Sequence, residues 1–167
     1  MKKETVNIGI LGLGNRSTLF YIDQLNKLYN SKFENYSTCK FILYNSNFEE
    51  INPFLPNNFE KLEPVLANYI NEIENFGVNF LLIPNITLHQ TFDRLHIDLK
   101  IAHPIELTIK AFSEDNIKEA VVFGSRHMME SEYLKAAFLL KGVVILQPSE
   151  EDKSFIEYMR HQLYTGT

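Results

Sequence analysis

Apolar residues along this chain gather in short runs, and between the runs they recur at spacings of three and four. Val6-Asn7-Ile8-Gly9-Ile10-Leu11 is a compact run ended by Gly12 and predicts a buried parallel strand. Ser17 or Asn15 is placed to cap a helix through Leu19, Ile22, Leu25 and Leu28. Lys40–Tyr44 predicts a second strand, and the Asn52-Pro53 and Leu55-Pro56 steps a loop after it. Pro64 suits the first turn of a helix with Leu66, Tyr69, Ile70, Ile73 and Phe76 on one face and Gly77 as its stop. Phe80–Ile83 reads as a third strand, Thr87 as the cap of a short helix through Phe92 and Leu95, and Ile97–Ile101 as a fourth strand. His103-Pro104 opens a helix reaching Phe112. A fifth strand, Ala120–Phe123, precedes one helix carrying Met128, Met129, Tyr133, Leu134 and Ala137, which ends near Gly142. Val143–Leu146 is a sixth strand, and Ser149-Glu150-Glu151-Asp152 has the form of a capping box for a last helix. Strands alternating with helices imply an α/β fold, flavodoxin-like, with a parallel sheet, helices on both faces and ligands at the carboxyl ends of the strands.

Composition narrows the function classes. The 167 residues suffice for a real core, and 45% hydrophobic with 22% charged residues is ordinary globular usage. The net charge of -5 comes without a Lys/Arg cluster, which argues against a nucleic-acid partner or a polybasic membrane surface. No apolar stretch approaches the ~20 residues of a membrane span. The single cysteine, Cys39, permits neither an intrachain disulfide nor a cysteine-based zinc site and fits a reducing, cytoplasmic compartment. His96, His127 and His161 show no spacing that suggests a metal site.

The turns after the strands are where chemistry is expected. Gly12-Leu13-Gly14-Asn15-Arg16-Ser17 nearly spells a dinucleotide fingerprint, with Ser17 in place of the third glycine. That reading needs an acid at the end of the second strand. Asn45 and Asn47 stand there and Glu49 comes too late, so the segment reads instead as a tight glycine turn between strand and helix. The turns Pro84–Thr87 and Gly124–Arg126 are less generic.

Ile8–Gly12 with Ser17-Thr18 and Tyr21 resembles the opening of the aspartate/glutamate racemase family, and Ile42–Ile51 is similar to its second strand and loop. Gly77–Pro84 resembles the run into the family's first catalytic turn. Gly124-Ser125-Arg126 with Met129-Glu130, and then Gln147–Asp152, resemble the opening of its second half. These five segments stand in the family's order and cover nearly the whole chain.

The resemblance implies one α/β half over about residues 1–115 and a partial second half over 116–167. It implies cofactor-independent chemistry, without a metal, in which two thiols face an amino acid's α-carbon from opposite sides. The first thiol's place falls on Asn85, and the second is expected in a Gly-Cys turn beyond Thr167, so racemisation is not expected of this chain. Cys39 precedes strand two and lies away from the ligand turns. The residues expected to hold a ligand's carboxylate are Asn85, Ile86 and Thr87 at one helix start and Ser125 and Arg126 at another, with Gly12, Asn15, His89 and His103 as further positions. His89 and His103 also suit hydrogen-bonded structural roles, and Arg126 a solvated surface. The leading expectation is a racemase-family pseudoenzyme that binds an amino acid or small carboxylate. An active aspartate or glutamate racemase follows instead if a further segment or a partner supplies the thiol, and a structural or interaction protein follows if no ligand is bound. An apolar Ala120–Phe123 edge predicts a homodimer.

Overall fold

Gly9 and Gly12 show how the first strand is packed. The computed structural model describes residues 7–165, so Val6 of the first predicted run lies outside the described residues. β1 (Ile8–Gly12) is an inner strand of a four-stranded parallel sheet of order β2-β1-β3-β4, with β2 at Phe41–Asn45, β3 at Phe80–Leu82 and β4 at Lys100–Ile101. Gly9 and Gly12 are an odd number of residues apart and therefore lie on opposite faces. A Cβ on Gly9 would sit 2.7 Å from Val78 Cγ1, in the core built by α2 (Phe59–Asn75). A Cβ on Gly12 would sit 3.1 Å from Thr18 Cγ2 in α1 (Asn15–Phe33). Helices thus approach both faces, and both close approaches exclude a side chain.

The two faces are filled unequally. Leu62, Leu66, Tyr69, Ile70 and Ile73 of α2 are buried against Leu11, Leu81 and Ile83. α1, although longer, buries Thr18 alone. The chain divides into two compact units, Met1–Ala102 and His103–Thr167, and the division falls ahead of α4 (Pro104–Glu114) rather than after it. The reason is packing: Ile105, Ile109 and Phe112 of α4 join Leu134, Phe138, Val143 and Ile145 in the second unit's cluster. That unit holds a parallel pair, β5 (Glu119–Val121) and β6 (Val144–Leu146), followed by α7 (Glu150–Thr165).

Several local expectations are corrected. α1 starts at Asn15 behind Gly14, and neither Asn15 nor Ser17 caps it with a side chain. Pro64 lies inside α2, not in its first turn; the helix begins five residues earlier, and the proline forgoes one bond, to the carbonyl of Glu60. Thr87 is no cap but the middle of a 3₁₀ turn, Ile86–Leu88, that leads into a four-residue α3, His89–Phe92. β4 keeps two residues of its predicted five, because Ile97 and Leu99 pack into the core as coil. The single helix expected after β5 is two, α5 (Arg126–Glu130) and α6 (Glu132–Leu139). At Ser131 the backbone leaves the helical region, with ψ at 112°, and its hydroxyl accepts the Leu134 N–H at 3.3 Å. β5 begins at Glu119 and ends at Val121, so the expected apolar edge carries a charge at its first position. Gly77 and Gly142 do end their helices at positive φ, +71° and +76°.

Candidate functional site

All four strands of the first sheet run parallel, so the turns after β1, β2 and β3 emerge at one edge. Between the first two of these turns lies a cleft of about 550 Å³, lined by Gly14, Asn15 and Thr18 with Asn45, Ser46 and Asn47, over an apolar wall that includes Leu43 and Ile22. Register explains the meeting: Gly12 pairs with Asn45, and the Ser46 N–H donates to the Gly12 carbonyl at 2.9 Å. A side chain at Gly12 would strike Asn45 Oδ1, 2.6 Å from the Cβ position. Thr18 is buried, and its hydroxyl finds no hydrogen-bond partner. None of the lining residues is charged. With no acid in the first turn of α1 and no side-chain cap, the positive end of its dipole is unneutralised there. The cleft's volume is that of a small-ligand site.

Of the expected positions, Asn15 lines this cleft and Gly12 keeps it open. Asn85, Ile86 and Thr87 do not line it; they follow β3, on the other side of β1. Asn85 is extended, makes no side-chain cap, and its N–H donates to Ile83 O at 2.7 Å. His89 is fully buried, with Nε2 at 3.2 Å from the same Ile83 carbonyl, which holds the turn against the core. In the second unit His103 precedes α4, its Nε2 at 3.4 Å from the Tyr133 hydroxyl. Ser125 caps α5, its hydroxyl accepting the Met128 N–H at 3.3 Å.

Arg126 is partly exposed and ion-paired. Its guanidinium reaches Glu150 at 2.8 Å and Glu130 at 3.2 Å, and its backbone N–H donates to Glu157 at 3.0 Å. Lys153, buried although charged, bridges the same Glu130 and Glu150 at 3.2 and 2.8 Å. Hydrogen bonds from Arg126 and Lys153 pull the Glu150 carboxyl down to about 2 from its ordinary 4.5. A carboxylate depressed by folding stabilises the native state above its unfolded value and loses that contribution as it protonates. Melting temperature should therefore fall as pH drops from 4.5 towards 2, and Glu150→Gln should flatten that fall in a thermal melt series. An unchanged slope would show that this cluster is not what acid disrupts.

Sequence reasoning passes over three members of the cleft. Asn45 and Asn47 stand out there only for the charge they lack, and Ser46 not at all; the signal is a run of amide and hydroxyl side chains directly after an apolar strand. It also misses Lys153, whose partners are assembled by α5 and α7. Chemically, the cleft between the first two turns offers neutral donors and acceptors. Asn85 is an amide. Tyr44 and Tyr69 are both pushed up to about 12, the first mainly by its hydrogen bond to Glu72, the second by burial and then by Glu50. The Cys39 thiol is raised by burial. Among the described residues, no three or more His, Cys, Asp or Glu side chains gather in a way that could hold a metal, and no helix is long and apolar enough to cross a membrane.

A parallel sheet of this order, flanked by helices and followed by a second α/β unit, is the fold of Asp/Glu racemase homologues. The solved structures similar to the chain include an aspartate racemase homologue from Pyrococcus horikoshii OT3, 22% identical over 98% of this chain and 74% of that one, with a TM-score of 0.85. They also include Picrophilus torridus aspartate racemase, 16% identical over 97% of this chain and 75% of that one, with a TM-score of 0.72. No family model and no curated protein matches the sequence. At these identities the likeness establishes the fold.

Proposed function

We propose that this racemase-fold chain binds an amino acid or small carboxylate at the strand-end turns of its first unit and does not racemise it. The observation that carries the reading is Asn85: an amide stands after β3, where the resemblance to the racemases calls for a thiol, while a polar cleft lies between the turns after β1 and β2. An uncharged, amide-lined cleft beside an uncapped helix start favours an anion over a cation. Aspartate, glutamate and the simple dicarboxylates are the first ligands to try, and no cofactor is needed for binding.

Thermal shift in the presence of millimolar aspartate, glutamate or dicarboxylate is the direct test. A ligand that binds only the native state raises the melting temperature by mass action, stabilising by about 2.7 kcal/mol at one hundred times its Kd. Asn15→Asp, which places a negative charge in the cleft, should weaken binding by about tenfold. The absence of a shift with every acid tried would remove the binding reading and leave a scaffold that acts through its surfaces.

In the second unit, Ser125 and Arg126 are the proposed acid-contacting residues. Arg126→Ala should weaken binding if its guanidinium meets the ligand. Lowered thermal stability with unchanged affinity would assign Arg126 to its ion pairs with Glu130 and Glu150 alone. Location in the cytoplasm and association into a homodimer belong to the same proposal.

A further inference from the structure

Thr18 is the buried polar member of the cleft between the turns after β1 and β2. It is 5% exposed, it lines the cleft, and its hydroxyl meets no hydrogen-bond partner among the described residues. A buried hydroxyl is ordinarily paired, because an unpaired one gives up its bonds to water for nothing. The helix start beside it is likewise unanswered. The first helical bond of α1 runs from the Thr18 N–H to the Gly14 carbonyl at 3.0 Å, so the N–H groups of Asn15, Arg16 and Ser17 lie ahead of it. Neither a side-chain cap nor an acid stands at this end. One carboxylate answers both needs, accepting from the helix N–H groups and from the Thr18 hydroxyl.

The wall opposite offers nothing to a second negative charge. Asn45 and Asn47 stand there, and an amide presents a donor and an acceptor together. Asn47 Oδ1 already accepts the Glu49 N–H at 3.2 Å, which leaves its NH₂ to donate. Asn45 offers an oxygen as well as an NH₂. No lysine, arginine or histidine is in the lining; Arg16, next to Asn15 in the chain, is exposed and lies outside it. The chain runs from Asn47 through Phe48 into Glu49 and Glu50, so the charge that follows this turn is negative. The start of α1 supplies roughly half a positive charge, which suits one carboxylate and not two. A second carboxylate would leave water without a cation to meet it, and it could not donate to the Asn45 oxygen. A carboxamide meets both asparagines: its oxygen accepts from the Asn47 NH₂, and its own NH₂ donates to the Asn45 oxygen. Between the two polar ends, Ile22 and Leu43 give an apolar wall for the methylenes of a short carbon chain.

We infer that the cleft selects a ligand with a single negative charge, its carboxylate at the start of α1 on the Thr18 hydroxyl and a carboxamide at the Asn45–Asn47 turn. Glutamine, asparagine and the monoamide of a short dicarboxylic acid have this form. The selectivity rests on the carboxylate-binding reading proposed above and narrows it, since dicarboxylates carry one charge too many for the asparagine wall. An α-ammonium group finds no acid in the lining and is not selected for.

Pairs of ligands that differ only by NH₂ in place of O⁻ test the selectivity: glutamine against glutamate, asparagine against aspartate, and succinamate against succinate, each titrated by calorimetry. In every pair that binds, the amide should bind about tenfold more tightly than the acid. Asn45→Lys, which brings a cation to an exposed position of the wall, should reverse the order in favour of the dicarboxylate. Thr18→Val nearly keeps the side-chain volume and removes the hydroxyl. It should weaken the amide ligand about tenfold while the melting temperature of the free protein stays level or rises, because no bond of the native fold is lost. Dicarboxylates that bind as tightly as their amides overturn the selectivity and leave the carboxylate-binding reading standing. Wild-type affinity in Thr18→Val overturns the assignment of the carboxylate to the start of α1. If neither member of any pair binds, the carboxylate-binding reading itself falls, and the selectivity falls with it.

Discussion

Deuterium from solvent is not expected to enter the α-carbon of free aspartate or glutamate in the presence of the 167-residue chain. Removing that proton takes a base matched to a very weak acid, and a positioned acid–base group contributes about 10²–10⁴-fold on its own. Asn85 cannot serve, since an amide does not take up a proton near neutral pH. Tyr44 and Tyr69 are held protonated, at about 12, by Glu72 in one case and by burial with Glu50 in the other. The one thiol, Cys39, is raised by burial, and its backbone N–H is tied to Asn26 at the amino end of β2, the end away from the ligand turns. Proton NMR of aspartate and glutamate in D₂O reads the outcome directly, and exchange above a heat-killed control would overturn the non-catalytic reading. Asn85→Cys alone should not restore racemisation, because one thiol lacks the opposing acid that returns a proton to the other face. Alkylating Cys39 with iodoacetamide should leave any ligand binding unchanged; protection of Cys39 by ligand would contradict its placement.

The parts of this molecule legible in its sequence are those that depend on local pattern. All six strands occur among the described residues, because a short apolar run bounded by glycine, asparagine or proline steps marks a buried parallel strand without reference to the rest of the chain. Ser149 announces the last helix, and its hydroxyl accepts the Asp152 N–H at 3.1 Å. Boundaries are less legible because pairing decides them. Ile97 and Leu99 are as apolar as a strand requires, yet only Lys100 and Ile101 find β3 in register. Pro64 misleads because the burial of Leu62, Leu66 and Tyr69 around it offsets the lost bond and the ring's crowding of the preceding turn. The cleft is least legible of all. It exists because β2 lies beside β1 and brings Asn45 opposite Gly12, far apart along the chain and adjacent in space. The ion cluster is hidden for the same reason: besides Glu130 of its own helix, Arg126 acquires Glu150 and Glu157 from α7, a helix not yet reached where the turn is read.

Leu66→Ala should destabilise the first unit by about 2–5 kcal/mol, the range for deleting a fully buried leucine and leaving a cavity behind. Leu66 has no exposed surface and sits among Leu62, Ile70, Leu81 and Leu88, so the space it vacates is walled by α2 on one side and the sheet on the other. Leu28→Ala in α1 should change stability by no more than about 0.5 kcal/mol, since Leu28 is 66% exposed and alanine is the better helix former. The contrast follows from the unequal filling of the two faces: α2 buries five side chains and α1 a single threonine. In urea unfolding both variants should keep the wild-type slope and differ in midpoint only. In thermal melts a loss of about 2 kcal/mol lowers the midpoint by roughly 8–16 °C for a unit of this size, against a change of a few degrees at most for Leu28→Ala. If Leu28→Ala costs as much as Leu66→Ala, the apolar side of α1 is covered in solution by something the single chain does not supply. If Leu66→Ala costs less than about 1 kcal/mol, well under the range for a buried leucine, the α2 face is not the seat of the first unit's stability. The assignment of its core to Leu11, Leu62, Leu66, Ile73 and Leu81 then fails.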